Sequence, residues 1–124
     1  MIVVTGGVAS GKRSFARSLG FSDDQMADAV IDDRPVVYNL QDLVMKNLDA
    51  SDVEGLADSL ARKRVVICDE VGCGVVPMGP GERAARERTG RLVIELSSTA
   101  ELVVRMVCGI PVALKGELPE GVRP

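Results

Sequence analysis

Apolar residues in this chain come in short unbroken runs, separated by segments of helical periodicity. Met1-Ile2-Val3-Val4-Thr5, four apolar residues and a β-branched threonine, reads as a short buried strand of a parallel sheet. A glycine-rich stretch follows, and Phe15 and Leu19 at i, i+4 predict a helix over 14–19. Residues 20–34 are polar and acidic, with Asp23, Asp24, Asp28, Asp32 and Asp33. Here Ser22 is expected to cap a short helix running through Val30. Pro35-Val36-Val37-Tyr38 reads as a second strand, and Asn39 as the cap of a helix from Leu40 to about Leu48, with Leu40, Leu43, Val44 and Leu48 on one face. Ser51-Asp52-Val53-Glu54 is a capping box that opens a helix to about Arg64. Val65-Val66-Ile67-Cys68 is a third strand ending in Asp69-Glu70, and a loop with Pro77 and Pro80 spans 72–81. Residues 82–98 read as an arginine-rich helix in which Gly90 is a weak point, and 102–107 as a fourth strand. A turn at Gly109 leads to a fifth short strand over 110–114, and the tail from Gly116 is expected to be loosely held.

Strands alternating with helices imply βαβ units: an α/β fold with a mostly parallel sheet and helices on both faces. Ligands of such sheets sit at the carboxyl ends of the strands. That rule gathers the 6–12 loop, Tyr38-Asn39, Asp69-Glu70 and Gly109 at one edge. With 124 residues and no linker or repeat, the chain reads as one domain over 1–124.

Charge and composition narrow the function classes. A net charge of −3 supplies no broad basic field, so nucleic acid is not an expected partner. Arg62-Lys63-Arg64 reads as a solvated helix end complementing the helix dipole. There is no histidine, which removes a histidine base, metal ligand or covalent intermediate. Three cysteines without C-x-x-C spacing favour free thiols in a reducing compartment. Cys68 and Cys108 lie in apolar runs and are expected in the core, with Cys73 the exposed thiol. No leader and no apolar run of membrane-spanning length is visible, so a cytoplasmic location is expected.

The chemistry concentrates in Gly6-Gly7-Val8-Ala9-Ser10-Gly11-Lys12-Arg13. This meets the phosphate-loop pattern G-x-x-x-x-G-K-[ST] up to its last position. Glycines let backbone N–H groups turn inward around an anion, and the lysine brings a mobile charge to the outer phosphates. Gly6, Gly7, Val8, Ala9, Ser10, Gly11, Lys12, Arg13 and Ser14 are therefore the expected nucleotide-binding residues, for GTP or ATP. The hydroxyl that normally holds Mg²⁺ is replaced by Arg13, which only donates hydrogen bonds. Ser14 lies about 100° further round the helix. Either Mg²⁺ relies on phosphate oxygens, water and a carboxylate, or Arg13 itself offsets phosphate charge, or catalysis is lost while anion binding survives. Asp69 and Glu70, at the end of a Walker B-like strand, are the candidate Mg²⁺ ligands and, with Lys12, the candidate catalytic residues.

Asp69-Glu70-Val71-Gly72-Cys73-Gly74-Val75-Val76-Pro77 resembles the N-E-V-G-x-G-[IV]-V-P segment of the bifunctional adenosylcobinamide kinase / adenosylcobinamide-phosphate guanylyltransferases. Thr5 to Lys12 resembles that family's T-G-G-x-x-S-G-K. Ala85-Arg86 with Thr89-Gly90-Arg91 resembles its arginine-bearing helix, and Val107-Cys108-Gly109-Ile110-Pro111-Val112 its closing segment. The resemblance implies a RecA-like P-loop NTPase fold, nucleotide in the loop, a corrinoid (cobinamide) substrate phosphorylated on a side-chain hydroxyl, and a homo-oligomer, often a trimer. It also implies guanylyl transfer through a histidine, which this chain lacks. Further departures are Arg13, Asp69 in place of Asn, a shorter stretch before Tyr38, and Tyr38-Asn39-Leu40-Gln41 where the family carries acid-C-[IL]-T. Arg86 and Arg91 could reach phosphates or a neighbouring subunit, or form a solvated helix face. The alternative to a kinase is a non-catalytic nucleotide-binding or regulatory protein of the same fold.

Overall fold

The computed structural model describes residues 1–47, 53–70 and 79–122. Its strands are β1 (Ile2–Gly6), β2 (Met26–Asp28), β3 (Val36–Tyr38), β4 (Val65–Asp69), β5 (Leu102–Val107) and β6 (Ile110–Lys115). Its helices are α1 (Lys12–Ser18), α2 (Leu40–Lys46), α3 (Val53–Leu60) and α4 (Pro80–Thr99). The sheet order is β2-β3-β4-β1-β5-β6. All neighbours pair in parallel except β6, which runs antiparallel on β5. This is the expected α/β architecture, with one more strand.

The unbroken valine runs follow from burial on both faces. Successive side chains of a strand point to opposite sides, so Val3, Val37, Val66 and Val103 enter one core and Val4, Val36, Val65 and Val104 the other. The first core is covered by α2, α3 and α4 through Leu40, Leu43, Val44, Leu60, Leu92 and Leu96. The second is covered by α1, through Phe15 and Ala16, and by the tail. Helix α4 buries Ala85, Thr89, Leu92 and Leu96, a single stripe of helical spacing. Gly90 does not interrupt it. Among the described residues no helix is long and apolar enough to cross a membrane.

Several expectations are corrected. The helix expected from Ser22 to Val30 is a single 3-10 turn, Asp23–Gln25, followed by β2. Gln25 reaches back to the Ser22 N–H at 2.9 Å and closes the turn, after which Met26 and Ala27 are drawn into the sheet core. Asn39 precedes α2 in a left-handed conformation, φ 56°, and makes no side-chain cap; its amide donates instead to Asp28 Oδ1 at 2.8 Å. Helix α3 ends at Leu60, short of Arg64. Lys63 is buried, not solvated, and donates to the carbonyl oxygens of Asp32 and, at 2.8 Å, Arg34. Within the tail, Leu118 and Val122 pack on the α1 side of the sheet. Cys68 is buried as expected, but Cys108 is exposed, because with φ 50° it forms the tight β5–β6 turn with Gly109 at φ 78°. Leu48, the Ser51 cap and residues 71–77, including Cys73, lie outside the described residues.

Candidate functional site

The carboxyl ends of β1, β3 and β4 and the β5–β6 turn meet at one edge, where the sequence places the chemistry. Gly6 is flanked in register by Asp69 on β4 and Met106 on β5. A Cβ on Gly6 would stand 2.5 Å from Ser10 Oγ and 2.7 Å from the Met106 carbonyl oxygen, so only glycine lets the following loop fold back there. Ala9 at φ 57° and Gly11 at φ 95° curl the loop, and the Ser10 N–H donates to the Gly7 carbonyl at 3.3 Å. The β5–β6 turn clasps it from the side, the Gly109 N–H donating to the Ser10 carbonyl at 3.0 Å.

Beneath the loop lies a cavity of about 380 Å³, lined by residues 8–14 with Arg17, Tyr38, Asn39, Ile67 and Asp69. Lys12 is buried. Its Nζ donates to the Gly7 carbonyl and sits 2.8 Å from Asp69 Oδ1. Asp69 is in turn clamped by Gln41 of α2. The Gln41 amide donates to Asp69 Oδ2 at 3.2 Å, and the Asp69 N–H donates to Gln41 Oε1 at 3.1 Å. The residue behind Asp69 is inert: burial, with the Asp69 charge adding, pushes the Cys68 thiol up to about 12.

Of the predicted residues, Val8, Ala9, Ser10, Gly11, Lys12, Arg13, Ser14 and Asp69 come together around the cavity, while Gly6, Gly7 and Glu70 do not line it. The Glu70 backbone N–H donates to Gly6 O at 2.8 Å and extends the β1–β4 ladder. Its carboxylate is turned to Arg105 of β5, with Arg105 Nε at 2.5 Å from Oε1 and Nη2 at 3.3 Å from Oε2. No residue of α4, and so neither Arg86 nor Arg91, lines the cavity. Arg91 instead faces Glu87 at 3.7 Å on the exposed side of the helix.

Arg13 and Tyr38, two positions singled out as departures, are in contact. The Arg13 guanidinium carbon lies 4.8 Å from the centroid of the Tyr38 ring, a cation–π distance. Gln41, Arg105 and this stack were not foreseen from the sequence. Their partners lie 28, 35 and 25 positions away along the chain, and only the sheet order brings them together.

A divalent cation held by Asp69 or Glu70 would have to compete with donors already in place. Both Asp69 oxygens and both Glu70 oxygens already accept from Lys12, Gln41 or Arg105. Among the described residues no group of three or more His, Cys, Asp or Glu side chains is placed to hold a metal ion. What the arrangement offers is a cavity fringed by the cations Lys12, Arg13 and Arg17, suited to an anion.

A comparison with curated proteins finds no match. A comparison with protein families matches residues 36–114 to cobinamide kinase / cobinamide phosphate guanyltransferase. The match runs from β3 into β6 and takes in Tyr38, Gln41, Asp69, Glu70 and Arg105, though it begins after the 6–13 loop. With well over half its length matched, and the strand order and loop of a P-loop sheet around the matched part, the chain belongs to the cobinamide kinase / cobinamide phosphate guanyltransferase family.

Proposed function

We propose that the chain, as a single domain, binds GTP or ATP with its phosphates in the cavity under residues 8–14, and phosphorylates a corrinoid side-chain hydroxyl as a cobinamide-kinase-type enzyme. The observation that carries this reading is Lys12, buried at the cavity wall and held 2.8 Å from Asp69. A lysine held in place by a carboxylate can transfer its hydrogen bonds to the outer phosphates and stabilise the charge that develops in transfer. Asp69, released from Lys12 and still oriented by Gln41, is then the group to accept the substrate hydroxyl proton. Glu70, tied to Arg105, orders the neighbouring backbone and is the lesser candidate. Guanylyl transfer through a histidine of this chain is excluded, since it has none. We place the protein in the cytoplasm and read it as a homo-oligomer. The apolar side chains Ile110, Val112 and Leu114, exposed on β6, support association.

One set of observations favours a second reading, a non-catalytic nucleotide binder. Both candidate carboxylates are engaged by cations, and the loop hydroxyl is Arg13. Incubation with ATP or GTP, Mg²⁺ and cobinamide separates the two. Phosphorylated cobinamide that disappears in Lys12→Ala supports the kinase. Nucleotide bound without product rules the kinase out in favour of the second reading.

A further inference from the structure

The charges around the cavity do not balance, and the imbalance sits on one residue. Among the described residues, four charged side chains line it: Lys12, Arg13, Arg17 and Asp69. Lys12 pairs with Asp69 at 2.8 Å. Arg17 pairs with Asp23 at 2.6 Å. Arg13 makes no ion pair among the described residues; its partner there is the face of Tyr38, at 4.8 Å. The uncompensated positive charge therefore belongs to the residue that stands where the loop pattern has its metal-binding hydroxyl.

We propose that Arg13, steadied on the Tyr38 ring, takes the place of a divalent cation, so that the cavity binds nucleoside triphosphate without Mg²⁺. The proposal rests on the nucleotide reading above. A guanidinium offers a planar fork of donors that matches phosphate oxygens two at a time. It cannot lose its charge near neutral pH. An aromatic face at this distance limits the positions the guanidinium can take without neutralising its charge as a carboxylate would. Tyr38 is thus a positioning residue that acts through Arg13. The carboxylates agree with this: each of the four oxygens of Asp69 and Glu70 already accepts from a protein donor, so Mg²⁺ would have to compete with Lys12, Gln41 or Arg105 for them.

The test is isothermal titration of ATP and GTP into the chain, each in excess MgCl₂ and in EDTA. The wild type should show the same Kd in both, within about threefold, or about 0.6 kcal/mol. Arg13→Ser restores the hydroxyl of the loop pattern. It should bind at least about tenfold more weakly than wild type in EDTA, the scale of one lost charge-assisted hydrogen bond, and regain affinity when Mg²⁺ is added. Tyr38→Phe keeps the ring and should behave as wild type. Tyr38→Ala should weaken binding in EDTA as Arg13→Ser does but, with no hydroxyl restored, stay weak when Mg²⁺ is added, a loss that Tyr38→Phe does not share. Wild-type binding that collapses in EDTA overturns the proposal while leaving the nucleotide reading intact. Arg13→Ser binding equally well in EDTA overturns it too. No binding of either nucleotide under any condition overturns the nucleotide reading itself, and this proposal with it.

Discussion

Replacing Gly6 with alanine probes the closest backbone approach at the site. The new Cβ would lie 2.5 Å from Ser10 Oγ and 2.7 Å from the Met106 carbonyl oxygen. The first conflict is cheap, because a hydroxyl can rotate away. The second is not. Met106 is the register partner of Gly6 across β1 and β5, and its carbonyl belongs to the sheet. Relief requires the two strands to part by several tenths of an ångström beneath the loop. Forced overpacking of this kind costs about 1–3 kcal/mol. At about 2.1 cal/mol/K per residue, 124 residues unfold with an entropy near 0.26 kcal/mol per degree, so Tm should fall by about 4–12 °C. Gly7 is the internal control: it is the next residue, yet a Cβ there meets nothing within 4 Å. Gly7→Ala should therefore move Tm by less than about 2 °C, the scale of an unconstrained surface change. Thermal unfolding followed by circular dichroism reads both variants. Equal shifts, or a silent Gly6→Ala, would refute the close approach as the reason for glycine at this position.

Gly90→Ala should stabilise the protein by about 0.5–1 kcal/mol, raising Tm by about 2–4 °C, because the position is mid-helix and an added Cβ meets only open space; a lower Tm would contradict the unbroken α4. In a Cys73→Ser/Cys108→Ser background, Cys68 should resist a disulfide-forming thiol reagent at about pH 8 when folded and react fully in guanidinium, since burial holds its thiol near 12. The same shift fixes the sign of a pH effect. Below about pH 9 the thiol is protonated in both states, and between about 9 and 12 only the unfolded chain ionises. Stability should thus fall more steeply with rising pH in that window than it does for Cys68→Ala, as read by denaturant midpoints. Gln41→Leu removes both hydrogen bonds to Asp69 and should cost about 1–2 kcal/mol; an unchanged unfolding midpoint would show that the clamp contributes nothing.

The strands were legible wherever burial on two faces wrote a continuous valine run, as in β1, β3, β4 and β5. β2 was not, because Met26-Ala27-Asp28 is three residues inside an acidic segment, too short for a period to show. Its place in the sheet is decided by pairing with β3. The packing of Leu118 and Val122 is illegible for a related reason: they are isolated apolar residues whose burial depends on the sheet face that α1 covers. Cys108 carried a signal that was outweighed. A two-residue Cys-Gly link between apolar strands marks a tight hairpin, whereas an apolar run alone suggested core. At the site, the loop and Asp69 were readable because local order along the chain encodes them. The partners Gln41 and Arg105 were not, since each reaches its carboxylate from a different element. Nor could the sequence show that Arg13 rests on Tyr38, which recasts two separate departures from the loop and strand patterns as one contact.

The most direct measurement is isothermal titration of GTP and of ATP into the wild-type chain and into Lys12→Ala. A saturable one-site isotherm for at least one nucleotide is expected, weakened at least about tenfold by Lys12→Ala, as losing a charged hydrogen-bond donor to phosphate requires. Absence of binding by either nucleotide, or equal affinity in Lys12→Ala, would contradict nucleotide binding in the cavity beneath residues 8–14.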